Sequence, residues 1–388
     1  MTRPLVVARA LRAFTDGFGS VLLARYLTNL GFSAFETGVI ITATLLGSAV
    51  LTLYSGLRLG HWHARTVLYA ACGLMIFTGF GFAAVTRFWP LLVVAFFSTL
   101  NPSGGDVSVF LPTEQAVLAD LTDVGERPRR FAFYNFGAAL AAAAGALASA
   151  LPDRIARERG WELLTVQRLS FLLYAVVAVV IIFVYRRLRI PDYVTSAPRR
   201  GLHRSRRIVL RLSALFSLDS AAGGMAVQSI LVLYLDLRFD LSPAATGATL
   251  AVAGVLSAVS QLVSARLAAR IGLVRTMVFT HLPANIFLIL AGIVPNAPAA
   301  ITFLLLRSAL SQMDVPARQA LVMRLVEPDE RAAAASVTNV PRSLAAALTP
   351  ALAGLLLTKS TFGWPLVIAG VAKGAYDLLL LAQPIDRD

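Results

Sequence analysis

Three aspartates, Asp16, Asp106 and Asp219, stand inside or beside long apolar runs of this 388-residue chain. An ionisable group in a lipid-spanning segment costs about 3 kcal/mol to insert, so it marks either function or a buried partner. A carboxyl in such a place is a natural proton carrier: burial favours its protonated form, and a nearby guanidinium favours the ionised one. Arg12 lies one turn before Asp16 on the same helical face. The two make either a proton site tuned by a cation or a structural ion pair. Asp219 sits beside Ser217, Ser220 and Gly223-Gly224 with no Arg within one turn. That pattern suits an unpaired titrating acid, or one paired with a neighbouring helix. Asp106 ends the segment Asn101-Pro-Ser-Gly-Gly-Asp106, where Pro and Gly must break a helix. Its freed backbone groups have to face protein or cavity water, and Asp106 either packs there or holds a cation, a proton or an Arg.

The basic residues form a second set. Arg307, Ser311, Asp314 and Arg318 follow one another at spacings of four, three and four, one stripe of a helix. Arg307 is the deepest and suits an anionic substrate or a mobile acid; Asp314 and Arg318, toward the cytoplasmic end, read as a gate pair. Arg342 follows Asn339 and Pro341 and is also deep, so both arginines could face acids of the other half. Lys373 and Asp377, four apart, are expected to pair with each other. Glu126-Arg127 and Glu330-Arg331 lie in connections and are assigned to holding a gate or the register of the halves. Phe14 and Phe18, with Asn101, line an apolar pocket or pack. The four histidines (His61, His63, His203, His281) have no zinc spacing, and the lone Cys72 allows no disulfide within the chain. No catalytic constellation, metal site, cofactor or phosphate-binding glycine loop is expected.

These residues must be held by membrane helices. The chain is 57% hydrophobic and 14% charged, with a mean hydropathy of +0.72, well above the apolar share of soluble domains. Apolar runs long enough to span lipid fall near 8–29, 35–55, 66–85, 90–111, 130–150, 163–185, 208–234, 243–264, 275–294, 298–316, 334–357 and 364–382. Twelve spans follow, with 152–162 as a connection. Met1–Ala8 shows no cleavage pattern, and the first apolar run reads as a span. The formal net charge of +14 is explained by basic loops beside the bilayer rather than by nucleic-acid binding. Eight arginines between Arg186 and Arg207 face one acid, Asp192, and the loops at 58–65, 127–130 and 266–275 fall on the same side. The positive-inside bias therefore places both termini in the cytoplasm.

The two halves repeat. At an offset of 204, Pro112 matches Pro316, Gln115 matches Gln319, Glu126-Arg127 matches Glu330-Arg331, and Asn135 matches Asn339. Asp16 corresponds roughly to Asp219. The chain therefore divides into 1–185, a basic linker 186–207, and 208–388. Parallel six-helix halves around a mid-membrane site are a known transporter architecture.

On these features the sequence resembles the major facilitator superfamily over essentially its whole length. The loop after the eighth span, Ser264-Ala-Arg-Leu-Ala-Ala-Arg-Ile-Gly-Leu-Val-Arg275, is similar to the family's basic tight-turn motif without its acid. The loop after the second span departs further, lacking the usual Asp. Phe136 to Gly145 keeps small residues at helix-contact spacing but lacks the proline of the antiporter motif. The resemblance implies an all-α fold of twelve helices in two pseudo-symmetric halves. A membrane acid in the first span is similar to the proton site of bacterial drug/proton antiporters. The function expected is proton-coupled efflux of an apolar or cationic compound across a bacterial inner membrane, by a monomer in the lipid bilayer. Proton-linked transport of an organic anion or metalloid oxyanion, using Arg307 and Arg342, is the alternative. A transport-inactive sensor or scaffold is the alternative of another class; its usual added domain is not evident in the sequence. An enzyme is not expected.

Overall fold

A computed structural model describes residues 3–58, 63–103, 110–123, 126–188, 203–327 and 330–383. Among them nine helices are long and apolar enough to cross a membrane. Three further crossings are made by helices that this measure excludes for their charge or their breaks. The first is α1 (Arg3–Asn29), which turns its charged residues inward: Arg9 and Arg12 are buried. The second crossing is α2 (Ala34–Arg58), the third α3 (Ala64–Ala84). The fourth is split into α4 (Phe88–Phe96) and α5 (Leu111–Asp120). Then come α6 (Arg127–Ala148), the short α7 (Leu151–Arg159) and α8 (Leu163–Arg186).

The second set repeats the plan. A seventh crossing is split into α9 (Arg206–Gly224) and α10 (Gln228–Phe239), followed by α11 (Pro243–Ile271) and α12 (Leu273–Ile293). The tenth crossing is split into α13 (Ala297–Leu310) and α14 (Asp314–Leu325). The last two are α15 (Arg331–Lys359) and α16 (Trp364–Leu381). The outer surface is apolar, with Trp89, Phe80, Val176 and Phe183 exposed, the surface that lipid rather than water requires.

Two features differ from the sequence reading. The fourth crossing does not end at residue 111; its first helix stops at Phe96 and it resumes as α5 through Asp120, so Glu114 lies inside the bundle, fully buried. Residues 152–162 are not a plain connection. Pro152 opens α7, Gly160 closes it at φ +64, and Arg154, Arg157 and Arg159 face out while Pro152 and Ala156 are buried. A charged face over a small apolar one suits the lipid–water interface.

Small residues set the closest packing, as in other membrane bundles. A β-carbon on Gly17 of α1 would lie 2.0 Å from the Ala142 carbonyl oxygen of α6, and one on Gly145 would lie 1.9 Å from that of Phe14. α2 packs along α15, and α6 packs on α11. At the α2–α15 seam a β-carbon on Gly354 would come within 2.3 Å of the Ala34 carbonyl oxygen.

The seam is fastened at one face. Ser229 donates to the Ser20 carbonyl (2.6 Å) and its N–H to the Pro102 carbonyl (3.1 Å). Arg25 pairs with Asp236 (3.1 Å) and donates to the Leu241 carbonyl. The N–H groups of Phe35 and Ala351 donate to Thr358 (2.9 Å) and Thr42 (3.0 Å). Among the described residues these fastenings between 3–188 and 203–383 gather in the part of the bundle away from the N-terminus.

Candidate functional site

Two buried polar clusters stand at mid-depth, one in each set of helices. In the first, Arg12 of α1 makes a two-pronged pair with Glu114 of α5, at 2.6 and 2.5 Å. The Tyr134 and Tyr185 hydroxyls also donate to that carboxylate. Arg12 donates to Tyr185 (2.8 Å) and lies 4.1 Å from the Phe110 ring centre. Arg12 therefore does not pair with Asp16 as the sequence allowed: the bidentate fork goes to the carboxylate that the helix break carries inward. Asp16 instead accepts from the Tyr174 hydroxyl (2.9 Å). Asp16 is half-buried.

The second cluster corrects the reading of Asp219. It is not unpaired: Lys373 of α16 lies 2.5 Å away, and Arg318 and the His281 ring lie at 3.7 Å each. Lys373 thus serves Asp219, not Asp377, whose partners are His281 Nδ1 (2.9 Å) and the Asn285 amide (2.8 Å). Lys373 and Asp377 share α16, but the side chains reach different helices. Asp314 and Arg318 do pair (2.9 Å), but buried beside Asp219 rather than toward the end of the crossing, because α14 begins at the break.

The clusters are related by the 204-residue repeat with their charges exchanged. Glu114 on α5 corresponds to Arg318 on α14. Each reaches the first crossing of its own set, Glu114 to the cation Arg12 and Arg318 toward the anion Asp219.

Two arginines stand apart from these pairs. The Arg307 side chain makes no hydrogen bond or ion pair among the described residues, and its Nε has no partner. Arg342 donates to the Ser220 hydroxyl (3.0 Å) and the Asn339 side chain (3.3 Å), both neutral. Both arginines are enclosed by protein but retain accessible area. At 1.5 Å per residue, Arg307 is roughly 15 Å along α13 and Arg342 roughly 17 Å along α15, each about half of a 30 Å hydrocarbon core.

The other expected site residues scatter. Phe18 belongs to the apolar core, while Phe14 is half-buried. Asn101 accepts from Ser103 N–H (3.1 Å) and hydroxyl (2.6 Å), stabilising the helix break. Asn339 is exposed on α15. Asp106 and linker residues 189–202 lie outside the described residues, as do the side chains of Arg127 and Arg331. Glu126 pairs locally with Arg130 (3.1 Å). Its repeat partner Glu330 accepts three N–H groups, from His203 (2.7 Å), Arg204 (2.9 Å) and Ser205 (3.0 Å). It anchors the chain entering α9 and does not join the two sets of helices. Those N–H groups, His203 foremost, hold its carboxyl down at about 2 against the opposing effect of burial.

Glu114, Tyr174, Tyr185 and His281 carry no role in the sequence reading. Glu114 was recoverable, since it occupies Arg318's place in the repeat. The others required the helix contacts.

A bundle of apolar crossings with buried polar clusters inside it is the build of a polytopic membrane protein. The major facilitator superfamily model matches residues 5–306 and 214–386, and the chain belongs to that superfamily. Solved structures agree in fold. A D-xylose-proton symporter superposes with a TM-score of 0.78 at 13% identity, covering 99% of each chain. The E. coli xylose transporter XylE in its inward-open conformation gives 0.76 at 13%, covering 98% and 96%. The nucleoside transporter NupG gives 0.74 at 11%, covering 98% of each. An uncharacterized membrane protein of Saccharomyces cerevisiae, YJR124C, is 25% identical over 414 residues, covering 97% of this chain and 92% of its own.

Proposed function

We propose that this protein is a proton-coupled secondary transporter of a small organic anion, working by alternating access of 1–185 against 208–388. One observation carries the substrate class: Arg307 and Arg342 stand half-buried at mid-depth with no carboxylate at ion-pairing distance. An unpaired guanidinium away from bulk water is a binding site for a carboxylate or oxyanion. A cation would need a free acid there, and Asp219, Asp314 and Glu114 are each occupied by a fixed cation. Among the described buried acids, Asp377 is held by His281 and Asn285, and Asp16, partnered by a tyrosine, is the one that supports the alternative of cation efflux. The basic loops support termini in the cytoplasm of a bacterial inner membrane. With the opposite face fastened, an opening toward the cytoplasm is the arrangement this reading uses.

The test is uptake into proteoliposomes under an imposed pH gradient, with benzoate, malate, phosphate, arsenate and a cationic dye as probes. An anion is moved by the wild type, and Arg307→Ala raises its KM about 30-fold, the loss of one charge-assisted contact of ~2 kcal/mol. Arg307→Lys, which keeps the charge but not the fork, falls between. Transport of the dye alone, abolished in Asp16→Asn and unchanged in Arg307→Ala, would sink the anion reading.

A further inference from the structure

Within ion-pairing distance, the buried cluster around Asp219 holds one more carboxylate than fixed cations, while Arg307 and Arg342 act on Asp219 from farther off. Its hydrogen-bonded and ion-paired members carry three carboxylates, Asp219, Asp314 and Asp377, against two fixed cations, Lys373 and Arg318. The cluster around Arg12 shows no such excess, since Arg12 and Glu114 cancel. The group placed to make up the difference is His281. It is 4% exposed and stands between two of the three acids, Nδ1 2.9 Å from Asp377 and Nε2 3.7 Å from Asp219. Asn285 donates to the other oxygen of Asp377 (2.8 Å), fixing that carboxylate. With Nδ1–H donating to Asp377, Nε2 is left facing Asp219.

We infer that His281 is a proton-binding site of the transport cycle, its imidazole taking a second proton at Nε2 between Asp219 and Asp377. The proton comes from interior water and returns to it, and no other bond changes. Histidine exchanges a proton near neutral pH more readily than other side chains, and an imidazolium here stands between two carboxylates, one of them, Asp377, with no fixed cation at ion-pairing distance. The charged and titratable neighbours come from several helices. α16 contributes Asp377, Lys373 and Tyr376, the last edge-on at 6.1 Å; α14 contributes Asp314 and Arg318; α9 contributes Asp219. α11 carries charge only near its end, at Arg266 and Arg270. Arg307 on α13 and Arg342 on α15 lie half-buried outside the paired cluster. Adding a proton at His281 therefore makes the site beside those arginines more attractive to an anion. By linkage an anion bound there strengthens proton binding by the same factor. This is the sign needed to move proton and anion in the same direction. The coupling to an anion rests on the proposed function; proton binding at His281 does not.

The test needs no substrate. The chain has four histidines, so the full-length protein labelled with ¹⁵N-histidine in nanodiscs gives four ring signals, and His281→Gln identifies one. The signal of His281 passes from the neutral to the doubly protonated form on acidification, and Asp219→Asn suppresses that change. If His281→Gln does not fold, a variant with His61, His63 and His203 all changed to Gln leaves His281 as the sole signal. A wild-type His281 that stays neutral throughout, or one whose titration is untouched by Asp219→Asn, overturns the inference. In proteoliposomes, His281→Gln loses gradient-driven accumulation of the anion probes and keeps their exchange at equal pH. Gradient-driven accumulation that persists in His281→Gln but vanishes in Asp16→Asn also overturns it, and leaves the transporter reading standing. A wild type that moves no anion, with His281 titrating as stated, defeats the anion reading and leaves this one.

Discussion

Replacing Glu114 by glutamine tests whether the Arg12 cluster is a structural clamp. The change keeps the shape of the side chain and removes its charge. Arg12 and Glu114 are both almost completely buried, with side chains 3% and 0% exposed, so solvent cannot screen the orphaned guanidinium. Breaking one partner of such a pair costs about 3–5 kcal/mol. At about 2 °C per kcal/mol for a large chain, the expected fall in Tm is about 6–10 °C. Cys72 supplies the assay: it is the only cysteine and is fully buried, so a thiol-reactive fluorophore reports unfolding. The double variant R12M/E114Q removes both charges, while the introduced amide oxygen still accepts from Tyr134 and Tyr185. It regains most of the loss, because a pair removed together leaves no bare charge. An E114Q protein within about 1 °C of wild type, or a double variant less stable than the single one, would refute the clamp.

Three further outcomes follow from the seam and the linker. Arg25→Ala or Asp236→Ala removes an ion pair that fastens the far face; its side chains are 15% and 26% exposed, so it contributes about 1 kcal/mol. The open fraction of that face then rises about five-fold, read as faster labelling of a cysteine placed at Ser229 in a Cys72→Ser background. Gly354→Val forces side-chain atoms onto the Ala34 carbonyl, and labelling at the same position rises further; unchanged labelling would mean that α2 and α15 do not close this face. Glu330→Gln weakens the anchor of the chain entering α9 and lowers Tm at neutral pH. Because its carboxyl is held near 2 in the folded protein, its contribution is fully present above the ordinary carboxylate range. It is lost as pH falls toward 2, so the Tm difference between E330Q and wild type stays constant from about pH 6 to 8 and shrinks in acid.

Much of the fold is decided by the chain's own apolar rhythm. A backbone in lipid must satisfy its own hydrogen bonds, so long apolar runs become helices wherever they fall, and the 204-residue repeat shows that one plan is used twice. The exceptions have local causes. The fourth crossing is longer than its apolar run, because its second segment, α5, carries the charge of Glu114 and offsets that burial with Arg12. Hydropathy alone ends the crossing where the charge begins. α7 escapes an apolar count because an interfacial helix needs only a narrow buried face.

The identities of the buried charges were likewise open to reading, since an ionisable residue in an apolar run is conspicuous. Their partners were not. Arg12 and Asp16 are neighbours on one helix, as are Lys373 and Asp377, yet both sets look across to other helices. Spacing along one helix says which side chains share a face. It does not say which of several facing carboxylates sits at bonding distance, and at these depths that distance decides the pairing. His281 makes the point most fully. In the chain it is one histidine in an apolar run, without metal spacing, and only the packing of α9, α12, α14 and α16 sets it between Asp219 and Asp377. The sequence by itself determined that charges would be buried and roughly how deep; the tertiary structure decided which of them pair, leaving Arg307 and Arg342 with no carboxylate at ion-pairing distance and His281 between two acids.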